Sequence, residues 1–581
     1  MKTFLGRILA VVVGIGIFIF CCFMLFSLMI AAFSSDKKID VEDNSVLVIK
    51  MDKPLVENLT EINNSIFDFG NTKRPTLIEL TNAIRKAKDD DDIKGISLEL
   101  DLNSPDEISQ ISAIRNEIQS FKKSGKFVYA YTNRLSQSHY YLSTVADSIF
   151  HNPLGMIELK GLSSEVSFFK NMGEKYGINF QVIRHGKYKA AVEPFIRENL
   201  SDENRSQLTE IINSLWGNMA SEMSISRNIP IAQFNAYTDS LTAFLPNKAL
   251  KYKLVDVLAH ESEYHDFLKQ KLKVDLDDDL NAITLDKYTE TVNKVKKGEK
   301  IAVLYAQGMI VQGDKQYGIQ SEVYKDVIKE LADDDDIKAV VLRVNSGGGD
   351  ANTSDEILFE LKKLHAKKPI VVSFGEVAAS GGYYIAQASD KIYAEPYTIT
   401  GSIGVLGMIP NAKGLLNNIG ITHDHVQSNA NSLFYTPFEG LTPHAMKTLT
   451  ESTESVYKTF ITHVSKNRKM PIEQVDALGG GRIYTGPKAK EIGLVDEIGS
   501  IQDAISFAAE KSSLEDYRIV SYPKKKNEFE TLIKELDVSA EIKKELLHTT
   551  DSKIIEAYLK VEQLKKLKGV QALWPYDFKL N

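Results

Sequence analysis

The sequence predicts an α/β fold written twice in one chain, behind an apolar segment long enough to cross a membrane. Three observations carry this: stretches that recur in the same order, short buried strands alternating with amphipathic helices, and an uncharged run near the amino end. DDDDIKGISLELD at Asp89–Asp101 returns as DDDDIKAVVLRVN at Asp333–Asn345. HYYLSTVADSIF at His139–Phe150 returns as GYYIAQASDKIY at Gly382–Tyr393, and NKALKYKLVDVL at Asn247–Leu258 as PKAKEIGLVDEI at Pro487–Ile498. The matches keep their order at a spacing of about 240 residues, which is the mark of a duplicated unit.

Taken in chain order, the first element is the apolar run. No residue from Ile8 to Phe33 is charged, and about 26 residues of helix would reach about 39 Å, enough to cross a bilayer with tilt. Lys2 and Arg7 precede it, which favours an amino end in the cytoplasm and the bulk of the chain on the far side. Cleavage after Ala31-Ala32 is the rival reading, but the run is long for a signal-peptide core, and Phe20 before Cys21 is too bulky for a lipoprotein site. The expected segments are an anchor at 1–38, a first repeat at 45–272, a charged connector at 273–298, a second repeat at 299–512 and a tail at 513–581.

Within the second repeat, Ile301–Ala306, Ala339–Val344 and Ile370–Phe374 read as buried strands. Val323–Leu331, Ser354–Leu364 and Gly382–Ala388 read as the helices between and after them. Strands alternating with helices require crossover connections, hence a largely parallel sheet. The tail carries KKKNEFETLIKELDVSAEIKKELL, charged and helix-forming, then GVQALWPYDFKL, an apolar terminus able to dock; no chemistry is assigned to either.

Bulk properties remove several function classes. The length of 581 residues calls for more than one core. A formal net charge of −8, with no basic stripe interleaved with aromatics, argues against nucleic-acid binding. There is no Walker-type phosphate loop and no H-E-x-x-H. Both cysteines, Cys21 and Cys22, lie in the apolar run, so the remainder has no disulfide and no thiolate metal site. His423 and His425 stand without further ligands, and the sequence predicts neither a metal nor a cofactor.

The repeats are most informative where they disagree. Opposite Ser380-Gly381-Gly382 the first copy has Gln137-Ser138-His139. Opposite Asn345-Ser346-Gly347-Gly348-Gly349 it has Asp101-Leu102-Asn103-Ser104-Pro105. The reverse trade occurs in HGKYKAAVEPF, where aligning Pro194 with Pro437 sets Lys189 opposite Ser432. One copy keeps a serine and a glycine turn, the other a lysine. Such complementary loss predicts one composite site.

A serine hydroxyl becomes a nucleophile when a base removes its proton, and a neutral amine can be that base. Free lysine titrates near 10.4, so the site must lower Lys189 toward about 7–8, roughly 4 kcal/mol, and burial is the usual cause. Ala190, Ala191, Val192 and Phe195 supply apolar company, and Glu193 is expected to point away from the amine. An oxyanion also needs N–H donors: Gly381 can give one, and Gly348 or Gly349 the other. Taken singly, Ser380 would be a helix cap, Lys189 a solvated surface charge and 345–349 a turn. Their reciprocal distribution favours catalysis.

YKAAVEPF at Tyr188–Phe195, RVNSGGGD at Arg343–Asp350, AASGGYYIA at Ala378–Ala386 and TGSIGVLG at Thr400–Gly407 together resemble the motifs of the signal peptide peptidase A (protease IV) family in its long, duplicated bacterial form. The resemblance covers residues 1–512. It implies a Clp-protease/crotonase-like fold in each repeat. It also implies a membrane-anchored serine endopeptidase, with Ser380 as nucleophile and Lys189 as general base, that cuts cleaved signal peptides and similar hydrophobic peptides. Ser402 is implied as an accessory hydrogen-bond partner of the amine. The family further implies a homotetramer held at the inner membrane through residues 8–33, with its bulk on the periplasmic side. Gly347 departs from the proline usual in the family's oxyanion segment and leaves Gly348 and Gly349 as alternatives. Two other readings stand beside this one: a crotonase-like acyl-CoA enzyme, which would need neither the Ser/Lys pair nor an anchor, and an inactive membrane scaffold, which would have lost Ser380 or Lys189.

Overall fold

The first repeat folds around β1 (Ser45–Lys50), β2 (Ile93–Leu100), β3 (Phe127–Leu135) and β4 (Ser148–Ile157), paired in sequence and all parallel. The same sheet ends in β6 (Val257–Leu258) beyond β4 and β7 (Ala282–Thr284) beyond β1. In the second repeat β8 (Glu299–Gln307), β11 (Ile337–Ser346) and β13 (Ile370–Ala379) form the parallel centre. Around them stand β21 (Tyr517–Tyr522), β14 (Lys391–Ala394), β15 (Ile399–Gly401), β19 (Ile483–Thr485) and β20 (Glu497–Ile498).

A computed structural model of the chain describes residues 41–524 except 53, 59–74, 101–106, 293–297, 314–317 and 437, together with Gly14, Met24 and the backbone of 571–573. The anchor expected at 8–33, apart from Gly14 and Met24, and most of the tail lie outside the described residues. Among those described, no helix is long and apolar enough to cross a membrane.

The strand sequences explain their place. IAVLYA and AVVLRV show no apolar/polar alternation because both faces of the sheet are covered. Ala302, Leu304, Val340, Leu342, Val372 and Phe374 pack in one cluster with Ile328 and Leu331 of the helix Ser321–Asp333 and Ile357 and Leu361 of the helix Ala351–His365. Ile301, Val303, Ala339, Val341 and Val371 pack on the other side, against the helix Ile501–Lys511.

The duplication extends to single hydrogen bonds. Tyr140 Oη donates to Leu254 O at 2.8 Å, and Tyr383 Oη to Leu494 O at 2.7 Å. Asp256 accepts from Ile149 N and pairs with Arg227, as Asp496 accepts from Ile392 N and pairs with Arg468. One stretch behaves differently from the sequence reading. Within the charged connector at 273–298, β7 pairs with β1 and is followed by the helix Leu285–Thr291, so that part completes the first repeat instead of linking the two.

A third sheet belongs to neither repeat alone. Its order is β10 (Ile319–Gln320), β9 (Ile310–Val311), β12 (Gly348–Asp350), β22 (Gln571–Leu573), β16 (Val405–Asn411) and β5 (Asn179–His185). Beside it β17 (Tyr435–Thr436) and β18 (Gly440–Leu441) pair with each other. The seven residues of β5, from the first repeat, pair antiparallel with β16 of the second, from Asn179↔Asn411 to His185↔Val405. This crossing fixes where the first repeat's lysine falls.

Candidate active site

β5 ends at His185, opposite Val405, and four residues later the chain reaches Lys189. Tyr188 N–H donates to Gly480 O at 3.0 Å, which holds the segment against the loop Gly479–Arg482. Gly481 has φ +83°, and a Cβ there would lie 2.6–2.7 Å from Lys189 N, Cα and Cβ. Glycine at 481 is therefore a condition of the lysine's position.

Ser380 ends β13. Its φ of 55° and ψ of −119° are rare for a residue with a side chain, and its N–H donates to Gly401 O at 2.9 Å. The strain, of order 1–3 kcal/mol, turns the side chain out of the strand just before the helix Gly381–Ile385. The hydroxyl makes no capping bond, so the cap reading of this serine does not hold.

Lys189 Nζ lies 2.8 Å from Ser380 Oγ, 2.9 Å from Ser402 Oγ and 3.0 Å from Ser402 O. Lys189 is 2% exposed, Ser380 and Ser402 not at all. Burial alone pulls the lysine from its usual range down to about 7. That corresponds to roughly 5 kcal/mol against the charged form. A neutral amine has two N–H groups and one lone pair. Donating both hydrogens to Ser402 leaves the lone pair for the Ser380 hydroxyl proton. Glu193, expected to turn away, accepts from Ser201 N and Asn204 Nδ2 instead.

The glycine-rich turn meets the serine turn backbone to backbone. A Cβ on Gly382 would lie 2.4 Å from Ser346 O, and one on Gly381 3.2 Å from Gly348 Cα. The N–H of Gly381 opens a helix, where no intrahelical carbonyl reaches it. Gly348 N–H points at Ser346 Oγ, 3.1 Å away, whose own hydrogen goes to Gly308 O at 2.6 Å. Gly349 lies opposite Ala572 in β22.

The first repeat's counterparts have other uses. Gln137 Oε1, opposite the nucleophile position, accepts from Lys160 N and Gly161 N. Ser432, opposite Lys189, is exposed and accepts from Asn429 N. His423 pairs with Glu439 at 2.9 Å. Elsewhere Glu99, Glu261 and His265 converge closely enough to hold an ion, but Lys50 Nζ already stands 2.9 Å from Glu99. Sequence reasoning misses Gly480-Gly481. The available signal is a glycine triplet at 479–481 facing Asp239-Ser240-Leu241 in the first copy.

A buried serine within hydrogen-bond reach of a buried amine, beside a glycine-lined turn, is an arrangement able to activate a nucleophile. Residues 120–275 and 362–515 match the family described as peptidase family S49. Protease 4 of Salmonella typhi is 36% identical over 457 residues, 77% of this chain and 74% of that protein. An Enterococcus faecium protein that carries the name putative signal peptide peptidase SppA is 36% identical over 239 residues, 40% of this chain and 70% of its own. Among solved structures, a point mutant of ClpP1 from Listeria monocytogenes aligns at 16% identity with a TM-score of 0.23, covering 35% of this chain and 94% of its own. The chain belongs to peptidase family S49 and is a serine peptidase.

Proposed function

We propose that the chain is an endopeptidase working through a Ser380/Lys189 dyad, with cleaved signal peptides and similar hydrophobic peptides as substrates. The observation that carries this is the 2.8 Å approach of Lys189 Nζ to Ser380 Oγ in a site that lowers the amine to about 7. Ser380 Oγ attacks the scissile carbonyl carbon as Lys189 takes its proton. The oxyanion develops toward the N–H groups of Gly381 and of Gly349, or of Gly348 once that N–H leaves Ser346 Oγ. The ammonium then protonates the leaving amine as the C–N bond breaks. Water, deprotonated by the same lysine, releases the acyl group. Ser402 keeps the amine aimed throughout.

The signal-peptide class rests on the motif resemblance and on the name of the Enterococcus relative. Anchoring through residues 8–33, an inner-membrane location with the bulk on the periplasmic side and a homotetrameric assembly belong to the same proposal. The experiment is turnover of a fluorogenic hydrophobic peptide amide by the full chain. Cleavage that disappears in Ser380→Ala supports the reading, and cleavage that persists refutes it.

An extended binding mode accompanies this. β22 runs antiparallel to β12 beside the candidate donors, Gly348↔Leu573 and Gly349↔Ala572, and also pairs with β16 at Leu406. The slot between β12 and β16 thus accepts a strand by main-chain pairing, the general mode of β-augmentation. A peptide substrate using that slot competes with the chain's own residues 571–573. Ala572→Pro, which removes a main-chain donor, is expected to lower KM for the peptide several-fold with little change in kcat. An unchanged KM would show that the two do not share the slot.

A further inference from the structure

Beneath the active site, carboxyl groups from both repeats cross over. Glu107 of the first repeat directly precedes the helix Ile108–Lys122. Both its oxygens accept from Asn345 Nδ2 of the second repeat, at 3.0 and 2.9 Å. Glu376 of the second repeat returns the contact, accepting from Ser109 N–H in the first turn of that helix at 2.9 Å. A carboxylate at a helix start satisfies an otherwise orphaned donor.

Asn345 occupies a telling position. β11 and β13 pair regularly up to Val344↔Phe374, then resume at Ser346↔Ala378, so Asn345 alone faces Gly375, Glu376 and Val377. Such a bulge breaks the ladder and re-aims the strand. Asn345 Oδ1 repairs it by accepting from Val377 N–H at 3.1 Å. The same residue stands two positions before the first glycine of the turn, Gly347, and Val377 lies three residues before Ser380. One carboxamide therefore ties together the two strands that deliver the oxyanion donors and the nucleophile.

We propose that Glu107 is a positioning residue: by gripping Asn345 Nδ2 it fixes that carboxamide, and through it the relative placement of the glycine turn and Ser380. This rests on the Ser/Lys reading above. It also gives a use to the first repeat's degenerate segment: residues just past the lost glycine turn buttress the surviving one. Burial, followed by the negative charges of Glu376 and Glu57, pushes the Glu107 carboxyl up to about 8. Glutamine is the neutral isostere of its protonated form and keeps one carbonyl oxygen for Asn345 Nδ2.

The test uses the full chain and the fluorogenic hydrophobic peptide amide, with each variant read as a ratio to wild-type turnover. Loss of wild-type cleavage in Ser380→Ala reports on the dyad; these ratios report on Glu107. Glu107→Ala is expected to lower kcat tenfold or more with KM within twofold. Glu107→Gln is expected to stay within threefold of wild type. Added to Asn345→Ala, Glu107→Ala should cost less than a further twofold, because both act through one contact. The proposal is overturned if folded Glu107→Ala, with an unaltered thermal midpoint, keeps kcat within twofold. It is equally overturned if Glu107→Gln loses as much as alanine, or if the two losses multiply in full.

Discussion

Lys189→Ala is expected to reduce kcat for peptide hydrolysis by at least about 10^4-fold, with KM little changed. The size follows from the geometry. Among the described residues the base against Ser380 Oγ is Lys189 Nζ, 2.8 Å away, and the neighbouring Ser402 hydroxyl cannot take over as a base near neutral pH. Ser380→Ala should cost a similar factor. The double variant should be no worse than either single one, because nucleophile and base act as one unit. Residual turnover would reflect the backbone donors and substrate positioning. Turnover rates measured with the peptide amide check this, and additive losses would mean that the two side chains serve separate steps. Lys189→Arg is not a rescue, since guanidinium holds its proton at any accessible pH.

The second large effect is on stability. Arg343→Leu is expected to destabilise the fold by roughly 3–5 kcal/mol. Arg343 is 1% exposed and makes a two-pronged pair with Glu57, Nε to Oε2 at 2.8 Å and Nη2 to Oε1 at 2.6 Å. Its Nη1 donates to Ser373 Oγ and Phe374 O, and Glu395 stands 3.7 Å away. Burial opposes the guanidinium charge, but the Glu57 charge and hydrogen bonds more than offset it, and the net effect is to hold the proton more tightly. Removing the arginine strands Glu57, itself 2% exposed, across the boundary between repeats. The double replacement Arg343→Leu with Glu57→Leu should recover part of the loss, since the Glu57 charge is then no longer stranded, while Glu395 still loses its cationic neighbour. Urea unfolding midpoints check both; a single variant within about 1 kcal/mol of wild type would mean water reaches this pair.

How much of this was legible in the chain depends on the range of each interaction. The duplicated sheets were, because buried parallel strands leave continuous apolar runs such as AVVLRV, and duplication repeats them in order. The meeting of Ser380 with Lys189 was, because each is missing from the other copy. Ser402 followed from its motif, and its contact with the amine through both hydroxyl and carbonyl is geometric detail. The antiparallel crossing of β5 onto β16 was not, since pairing partners more than 200 residues apart leave no local pattern. Nor was the buried carboxyl group around Arg343. Glu57, Glu107, Glu376 and Glu395 carry no pattern in the sequence until folding brings them together, where burial pushes Glu107 and Glu395 up to about 8, in Glu395 against the opposing pull of the Arg343 charge. Gly481 escapes for a related reason: its constraint is the lysine backbone packed against it. The tail carries no chemical motif, yet Gln571–Leu573 pairs with β12.

The claim that two halves of a duplicated chain share one catalytic proton is tested most directly by the pH dependence of kcat/KM for the peptide amide. Lys189 acts as base only when neutral, and burial lowers it to about 7. Below that value the lone pair is occupied by a proton and the rate falls; above it the amine is free. The account predicts a rising limb with its midpoint near pH 7, level above about 8, and absent from the residual activity of Lys189→Ala. A rate that stays flat from about pH 6 to 9, or a limb that survives the loss of Lys189, would contradict it.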